Sequence, residues 1–371
     1  MEILNFLIPF IILLTVVVFV HEYGHYYFAK RYGVGITDFS IGFGKELFGF
    51  IDKSGTRWKF CIIPLGGYVK FFGDRNVFSQ AEQEELLKQY NKEDQEKLFV
   101  TKPLYQRSLI VAAGPLANFL LAIIIFSFIY MFSGKDFTPA QISEVQKDSP
   151  AYISGIKDGD LILSIDDKKV TSILDVSTFI NTTSKKDIVV NVLRNDSEIS
   201  YIVTPKIIKG KDSLGNAINK KIIGIKISPK NNEFNKERLG PATALFYAFK
   251  ETWFVTKTSL DFVFSMFKGK GDTSQLGGPI KIAKITGQVA QYGLIAFLSI
   301  MAYISISLGF INLFPIPMLD GGHLMFYAFE KILGRPLSQK TQEGFFRIGL
   351  FLLIFLMLFT TINDLKDLGL F

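Results

Sequence analysis

At 371 residues, with 49% hydrophobic and 14% aromatic residues and a mean hydropathy of +0.29, the chain is too apolar for an ordinary soluble protein and too polar for one lying wholly in a membrane. Its formal charge of +7 comes from Lys and Arg scattered along the chain rather than from a basic block interleaved with aromatics, so no nucleic-acid partner is expected. A single cysteine, Cys61, inside the apolar run Phe60-Cys61-Ile62-Ile63, excludes an intrachain disulfide and a cysteine metal cluster.

Residues 3–20 form an apolar run interrupted only by Asn5 and Thr15. About 18 such residues suffice to cross a bilayer. The run lacks a basic start and a small-residue cleavage site, so it reads as a retained first span over residues 3–31 rather than as a secretory leader. At its end stands His21-Glu22-Tyr23-Gly24-His25. Histidines at i and i+4 of a helix face the same way, one turn apart, with the Glu beside them. That arrangement suits two ligands of a zinc ion and a general base acting on a water the metal activates. Two of the three histidines in the chain are here. Ionisable groups at membrane depth cost about 2.5–3.5 kcal/mol each on insertion scales, which argues against a helix-end accident.

Residues 36–72 hold β-prone runs separated by Gly42-Phe43-Gly44, Lys53-Ser54-Gly55 and Gly66-Gly67. A membrane-associated β-hairpin or sheet is expected there, its exposed edge able to pair with an unwound substrate. The plainer alternative is an ordinary cytoplasmic hairpin. Residues 77–100, rich in Glu, Gln and Lys, suit a solvated cytoplasmic helix without chemistry of its own. A second span covers residues 108–132, and its Asn118 is either a helix-packing residue or support behind the metal ligands.

Residues 139–209 read as a β-rich module, with strands near 142–145, 160–165 and 188–194 and helices near 150–155 and 176–181. Its Ser149-Pro150-Ala151, Gly155-Ile156 and Gly159-Asp160-x-Ile162-x-x-Ile165 resemble a PDZ domain, although no glycine-containing carboxylate loop precedes Ile142. That leaves a peptide-binding role beside that of a bulky filter. Residues 210–290 form a connector. Within it, residues 242–267 carry Lys250, Glu251, Lys257 and Asp261, charges that suit an amphipathic helix lying on the membrane better than a span. Third and fourth spans are expected at residues 294–314 and 345–362.

Two histidines leave a catalytic zinc one protein ligand short. The segment Asn312-Leu-Phe-Pro315-Ile-Pro317-Met-Leu-Asp320-Gly-Gly-His323 follows a span, and its prolines stop the helix. Irregular backbone at such depth is tolerated only beside a cavity or within protein. Asp320 or His323 completes the site, with Glu330 a weaker candidate.

His21-Glu22-x-x-His25 together with Asn312-x-x-Pro315-x-Pro317-x-Leu319-Asp320-Gly321 resembles the site-2 protease family of intramembrane zinc metalloproteases. Gly66-Gly67-Tyr68 and Gly114-Pro115-Leu116-Ala117-Asn118 extend the likeness, which is strongest to bacterial members that regulate sigma-E, here with a single PDZ domain. The resemblance implies one zinc ion held by His21, His25 and Asp320, Glu22 as catalytic base, and Asn312 positioning the substrate. Pro315, Pro317, Gly42, Gly44, Gly66 and Gly67 belong with the substrate groove, and His323 and Asn118 stand behind the ligands.

The expected fold is an α-helical membrane protein of four spans with a membrane-associated β-sheet and an inserted PDZ-like domain. Its two core halves cover residues 1–133 and 291–371. Lys30, Arg31, Lys45, Lys53, Arg57 and Lys59 after the first span, and Lys331, Arg335, Lys340 and Arg347 before the fourth, belong on the cytoplasmic side. Both termini and the PDZ-like domain then face away from the cytoplasm across a bacterial inner membrane. The expected activity is cleavage of transmembrane segments in single-span proteins such as anti-sigma factors and remnant signal peptides. The alternative is a non-catalytic scaffold that holds extracytoplasmic partners through the PDZ-like domain.

Overall fold

The computed structural model describes residues 2–73, 90–183, 185–211, 217–229, 233–269 and 276–367. In chain order the helices are α1 (Glu2–Arg31), α2 (Lys92–Gln95), α3 (Leu104–Phe132), α4 (Pro150–Ser154), α5 (Ile173–Thr182), α6 (Pro241–Phe267), α7 (Pro279–Ala290), α8 (Leu294–Asn312), α9 (Asp320–Leu333) and α10 (Gln339–Asp367). The strands are β1 (Ile36–Ile51), β2 (Arg57–Phe71), β3 (Lys135–Asp136), β4 (Ala140–Val145), β5 (Leu161–Ile165), β6 (Lys168–Lys169), β7 (Ile188–Arg194), β8 (Ser197–Val203), β9 (Lys206–Lys211), β10 (Ala217–Ile222), β11 (Ile225–Pro229) and β12 (Lys236–Glu237). Two compact units result, residues 1–125 with 277–364 and residues 126–276 with 365–371.

Among the described residues, α1, α8, α10 and, from its start at Leu104, α3 supply the four helices long and apolar enough to cross a membrane. The third ends at Asn312, two residues earlier than the composition suggests, because Pro315 and Pro317 lie just beyond it. The fourth runs from Gln339, well before residue 345, as its polar first turns stay helical outside the apolar stretch. Lys30 and Arg31 close α1, where cations complement the helix dipole. Of the helix expected over residues 77–100, residues 77–89 lie outside the described residues, and α2 with a short 3-10 turn at Phe99–Thr101 accounts for most of the rest.

Residues 36–71 are not a simple hairpin. The first half of β1 pairs on one side with the end of β2 (Ile36 with Phe71, Phe39 with Val69, Ile41 with Gly67) and on the other with its beginning (Phe39 with Trp58, Ile41 with Phe60). The beginning of β2 also pairs with the second half of β1 (Phe50 with Trp58). Two long bent strands thus build four lanes, in the order 48–51, 57–60, 36–41, 67–71, and the last is an outer edge.

Aromatic contacts bolt this sheet to α1. Phe39 stacks on Trp58 at 4.2 Å between centroids, and Tyr26 meets Trp58 edge-on at 5.2 Å. Asp52 reinforces the joint, accepting from Tyr26 Oη at 2.8 Å, Trp58 Nε1 at 3.2 Å and Thr56 N at 3.0 Å. Burial pushes its carboxyl up, but the donors, Ser54 foremost, outweigh that and hold it well below the usual carboxylate range. Farther out, Leu47, Phe48, Ile51 and Ile62 are exposed and form an apolar tip that is left uncovered among the described residues.

The second unit carries a sheet in the order β11-β4-β5-β7-β8, with β6 beside β5. Helix α4 is capped by Ser149 and ends at Gly155 in the left-handed region, while Ser172 and Asp175 form a capping box on α5. Ile142, Ile162, Ile165, Val176, Val190 and Val192 form its aliphatic core. The sheet reaches beyond residue 209: β11, from residues 225–229, is the lane next to β4. Helix α6 turns Ala244, Ala248 and Thr252 inward and leaves Leu245, Phe249, Trp253 and Phe264 exposed, so its surface is strongly two-sided.

Candidate metal centre

Helices α1 and α3 carry the site between them because small residues let them touch. A methyl group at Gly24 would strike the Ala113 carbonyl, and one at Gly114 would collide with Nε2 of both His25 and His21. Residues 21 and 25 of α1 therefore meet residues 110, 114 and 118 of α3, each set spaced four apart along one face. His25 Nδ1 lies 2.9 Å from the Ile110 carbonyl oxygen. A carbonyl only accepts, so Nδ1 carries the proton and Nε2 keeps its lone pair.

The third group arrives on α9. After α8 the chain makes a tight loop, with Met318 at a φ of 90°, a conformation side chains rarely adopt outside strained functional turns. Gly321 packs against the carbonyls of Leu313 and Phe314 so closely that no side chain fits there. This seats Asp320, the first residue of α9, with Oδ2 3.1 Å from His21 Nε2 and Oδ1 3.5 Å from His25 Nε2. The two Nε2 atoms are 3.2 Å apart. Each residue offers one ligand atom, all within 4.8 Å of one another.

Two imidazole nitrogens and a carboxylate oxygen are the donor set of a catalytic zinc that keeps its fourth position open. Zinc bonds of about 2.0–2.1 Å in a tetrahedron set neighbouring ligands about 3.3 Å apart. The observed spacings bracket that value, so these residues fit zinc. His323 is not in this group. It faces the cavity, and its ring lies 5.6 Å from that of Phe346. Glu330 is engaged elsewhere, in a two-pronged ion pair with Arg107 (2.5 and 3.2 Å) that ties α9 to α3.

A cavity of about 510 Å³ opens from the cluster, lined among others by Glu22, Gly66, Gly67, Tyr68, Val69 and Asn312. Glu22 leans on the sheet: its Cγ would lie 3.0 Å from a Cβ at Gly67, and the Val69 backbone N–H donates to its carboxylate. The outer lane of the sheet, residues 67–71, therefore borders the cavity alongside Glu22. Asn312 reaches the cavity from the end of α8, whereas Pro315 and Pro317 shape the loop and do not line it. Gly42 and Gly44 lie away from the cavity too, at the bend of β1 beside Cys61, Ile62 and Ile63, and only Phe43 between them reaches it. Asn118, fully buried, has its amide 3.3 Å from His21 Nδ1.

A sequence model described as peptidase family M50 matches residues 9–356. The chain belongs to this family. A protein of Mesorhizobium japonicum named "putative zinc metalloprotease" is 41% identical over 98% of this chain and 99% of its own length. Metalloprotease MmpA of Caulobacter vibrioides is 35% identical over 97% of this chain and 95% of its own length. Family and relatives together make the M50 chain a zinc metalloprotease, and with its four apolar helices a membrane protein. The PDZ domain of the SdrC-like protein from Listeria monocytogenes is similar over 24% of this chain and 88% of its own, at 21% identity and a TM-score of 0.20, a likeness too slight to support any assignment.

Proposed function

We propose that this M50 chain is an intramembrane endopeptidase that cuts transmembrane segments of single-span proteins, anti-sigma factors and remnant signal peptides among them, in regulated intramembrane proteolysis. The observation that carries the reading is one cavity bordered by His21, Glu22, His25 and Asp320 on one side and by the outer sheet lane on the other. His21, His25 and Asp320 hold a single zinc ion. Bound there, zinc polarises the scissile carbonyl and lets water act as a nucleophile near neutral pH. Glu22 takes the proton of the attacking water and returns it to the leaving nitrogen, its carboxylate oriented by the Val69 N–H.

A helical substrate hides its amides in its own hydrogen bonds. The 67–71 lane answers this by offering backbone donors and acceptors to an unwound stretch, as an added strand. Gly66 and Gly67 let that stretch approach, and Asn312 holds its backbone from the opposite side. The basic residues flanking the spans favour an inner-membrane orientation with residues 30–107 and 331–347 cytoplasmic. The apolar side of α6 then lies on the extracytoplasmic leaflet.

Purified Glu22→Gln, assayed on a tagged single-span substrate beside metal analysis, tests the reading. Zinc content at the wild-type level with turnover down about 10²–10⁴-fold is expected. Undiminished cleavage removes Glu22 as the base. Normal function in a zinc-stripped protein favours the scaffold reading, which has no use for three converging ligands.

A further inference from the structure

The two histidines of the cluster differ in what stands behind them. His25 has a backbone carbonyl, an acceptor that cannot be anything else. His21 has the Asn118 side chain, and the atom facing its Nδ1 is the amide nitrogen, at 3.3 Å. That nitrogen only donates, which would place the His21 proton on Nε2, the atom aimed at Asp320 and His25. Nε2 so protonated has no lone pair for a metal. Meanwhile Asn118 Oδ1, in a residue with no solvent exposure, is without a hydrogen-bond partner. A buried orphan acceptor calls for an explanation.

A half-turn of the amide exchanges Oδ1 and Nδ2 in nearly the same volume. It brings the orphan oxygen to Nδ1, where it accepts the Nδ1–H and frees Nε2. We infer that Asn118 is the positioning residue for His21, its amide oxygen selecting the tautomer that binds metal, as the Ile110 carbonyl does for His25. The inference rests on the reading that His21, His25 and Asp320 hold the zinc. The backbone keeps Asn118 in place: its carbonyl accepts from Ser305 Oγ at 2.8 Å, and Gly309 of α8 packs against its Cβ.

Zinc affinity of the detergent-solubilised full chain, measured by competition with a chromophoric chelator, separates the possibilities. Asn118→Leu, similar in shape but without an acceptor, is expected to bind zinc about 10–100-fold more weakly. Asn118→Asp, which can only accept, is expected to stay within a few-fold of wild type. Ser305→Ala, which spares the amide, is a packing control expected to change affinity less than about threefold. Wild-type affinity in Asn118→Leu, or an equal fall in Asn118→Asp, overturns the inference while leaving the metal site standing. A wild-type chain without zinc affinity overturns the metal site itself. Should Asn118→Leu fail to fold, ¹⁵N-histidine spectra of the zinc-loaded wild type decide: hydrogen-bonded Nδ1–H signals for both His21 and His25 support the inference, and an unbonded one at His21 overturns it.

Discussion

One buried cluster of polar groups in each unit of the chain is arranged in the opposite way to the other. In the β-rich unit, Asp160 is almost fully buried, yet it is answered on the spot by Arg194 at 2.6 and 2.7 Å and by the Lys157 N–H at 2.9 Å. Around it the core is aliphatic. In the helical unit, Nε2 of His21, Nε2 of His25 and the Asp320 carboxylate oxygens are brought within 3.1–3.5 Å of one another. A pair that satisfies itself holds a fold together, whereas two imidazole nitrogens and a carboxylate that converge on one another suit a shared cation. Burial and charge alone do not distinguish the two; the direction in which the lone pairs point does.

The sharpest way to break this contrast is to delete one member of each group. Asp320→Ala is expected to weaken zinc binding by more than the ~100-fold that losing an outer partner costs, while thermal unfolding of the chain without added metal changes little. Retained stoichiometry would hand the third ligand to His323. Asp160→Ala should do the reverse. It leaves Arg194 without its partner and is expected to destabilise the β-rich unit by about 3 kcal/mol, read as denaturant or thermal unfolding, with zinc affinity unchanged.

A smaller effect sharpens the comparison within the helical unit, where Asp52 is a self-satisfied carboxylate of the β-rich kind. Its folded-state pKa is depressed, so its contribution to stability is complete above the ordinary carboxylate pKa of about 3.9 and is lost as pH falls below that value. Asp52→Asn should lower stability by about 1 kcal/mol at neutral pH and flatten the acid limb of a stability-versus-pH curve. An unchanged acid limb would mean that Tyr26 and Trp58 seat the sheet without it.

The four apolar helices and the existence of a separate β-rich part were legible because each is written in consecutive residues: an apolar run, a Ser-Pro-Ala start, a Gly-Asp turn. Both halves of the candidate metal cluster were legible as local patterns, but only the fold brings residue 320 to residues 21 and 25. What stayed hidden depends on partners far apart in the chain. Local alternation in residues 36–72 reads as a hairpin, since nothing there announces that Phe39 pairs with Val69 on one side and Trp58 on the other. The strand beside β4 comes from residues 225–229, some eighty positions on, across a connector with little patterning. Asn118 reads equally well as helix packing, because its meaning lies in a ring one helix away. Gly42 and Gly44 share a composition with Gly66 and Gly67, and only the path of the bent strands separates a corner from a lane beside the cavity.

The loop that delivers Asp320 has one more consequence. Met318 is held in an uncomfortable backbone state, and the lid on that loop is α10, whose Gly349 presses against the Pro317 carbonyl while the Phe346 ring lies tilted beside that of His323. Peeling α10 away would let the turn relax and swing the carboxylate off its mark. On the proposed metal site, α10 braces the turn that seats Asp320, so a variant that loosens the Gly349–Pro317 contact is expected to lose zinc affinity along with the packing of α10.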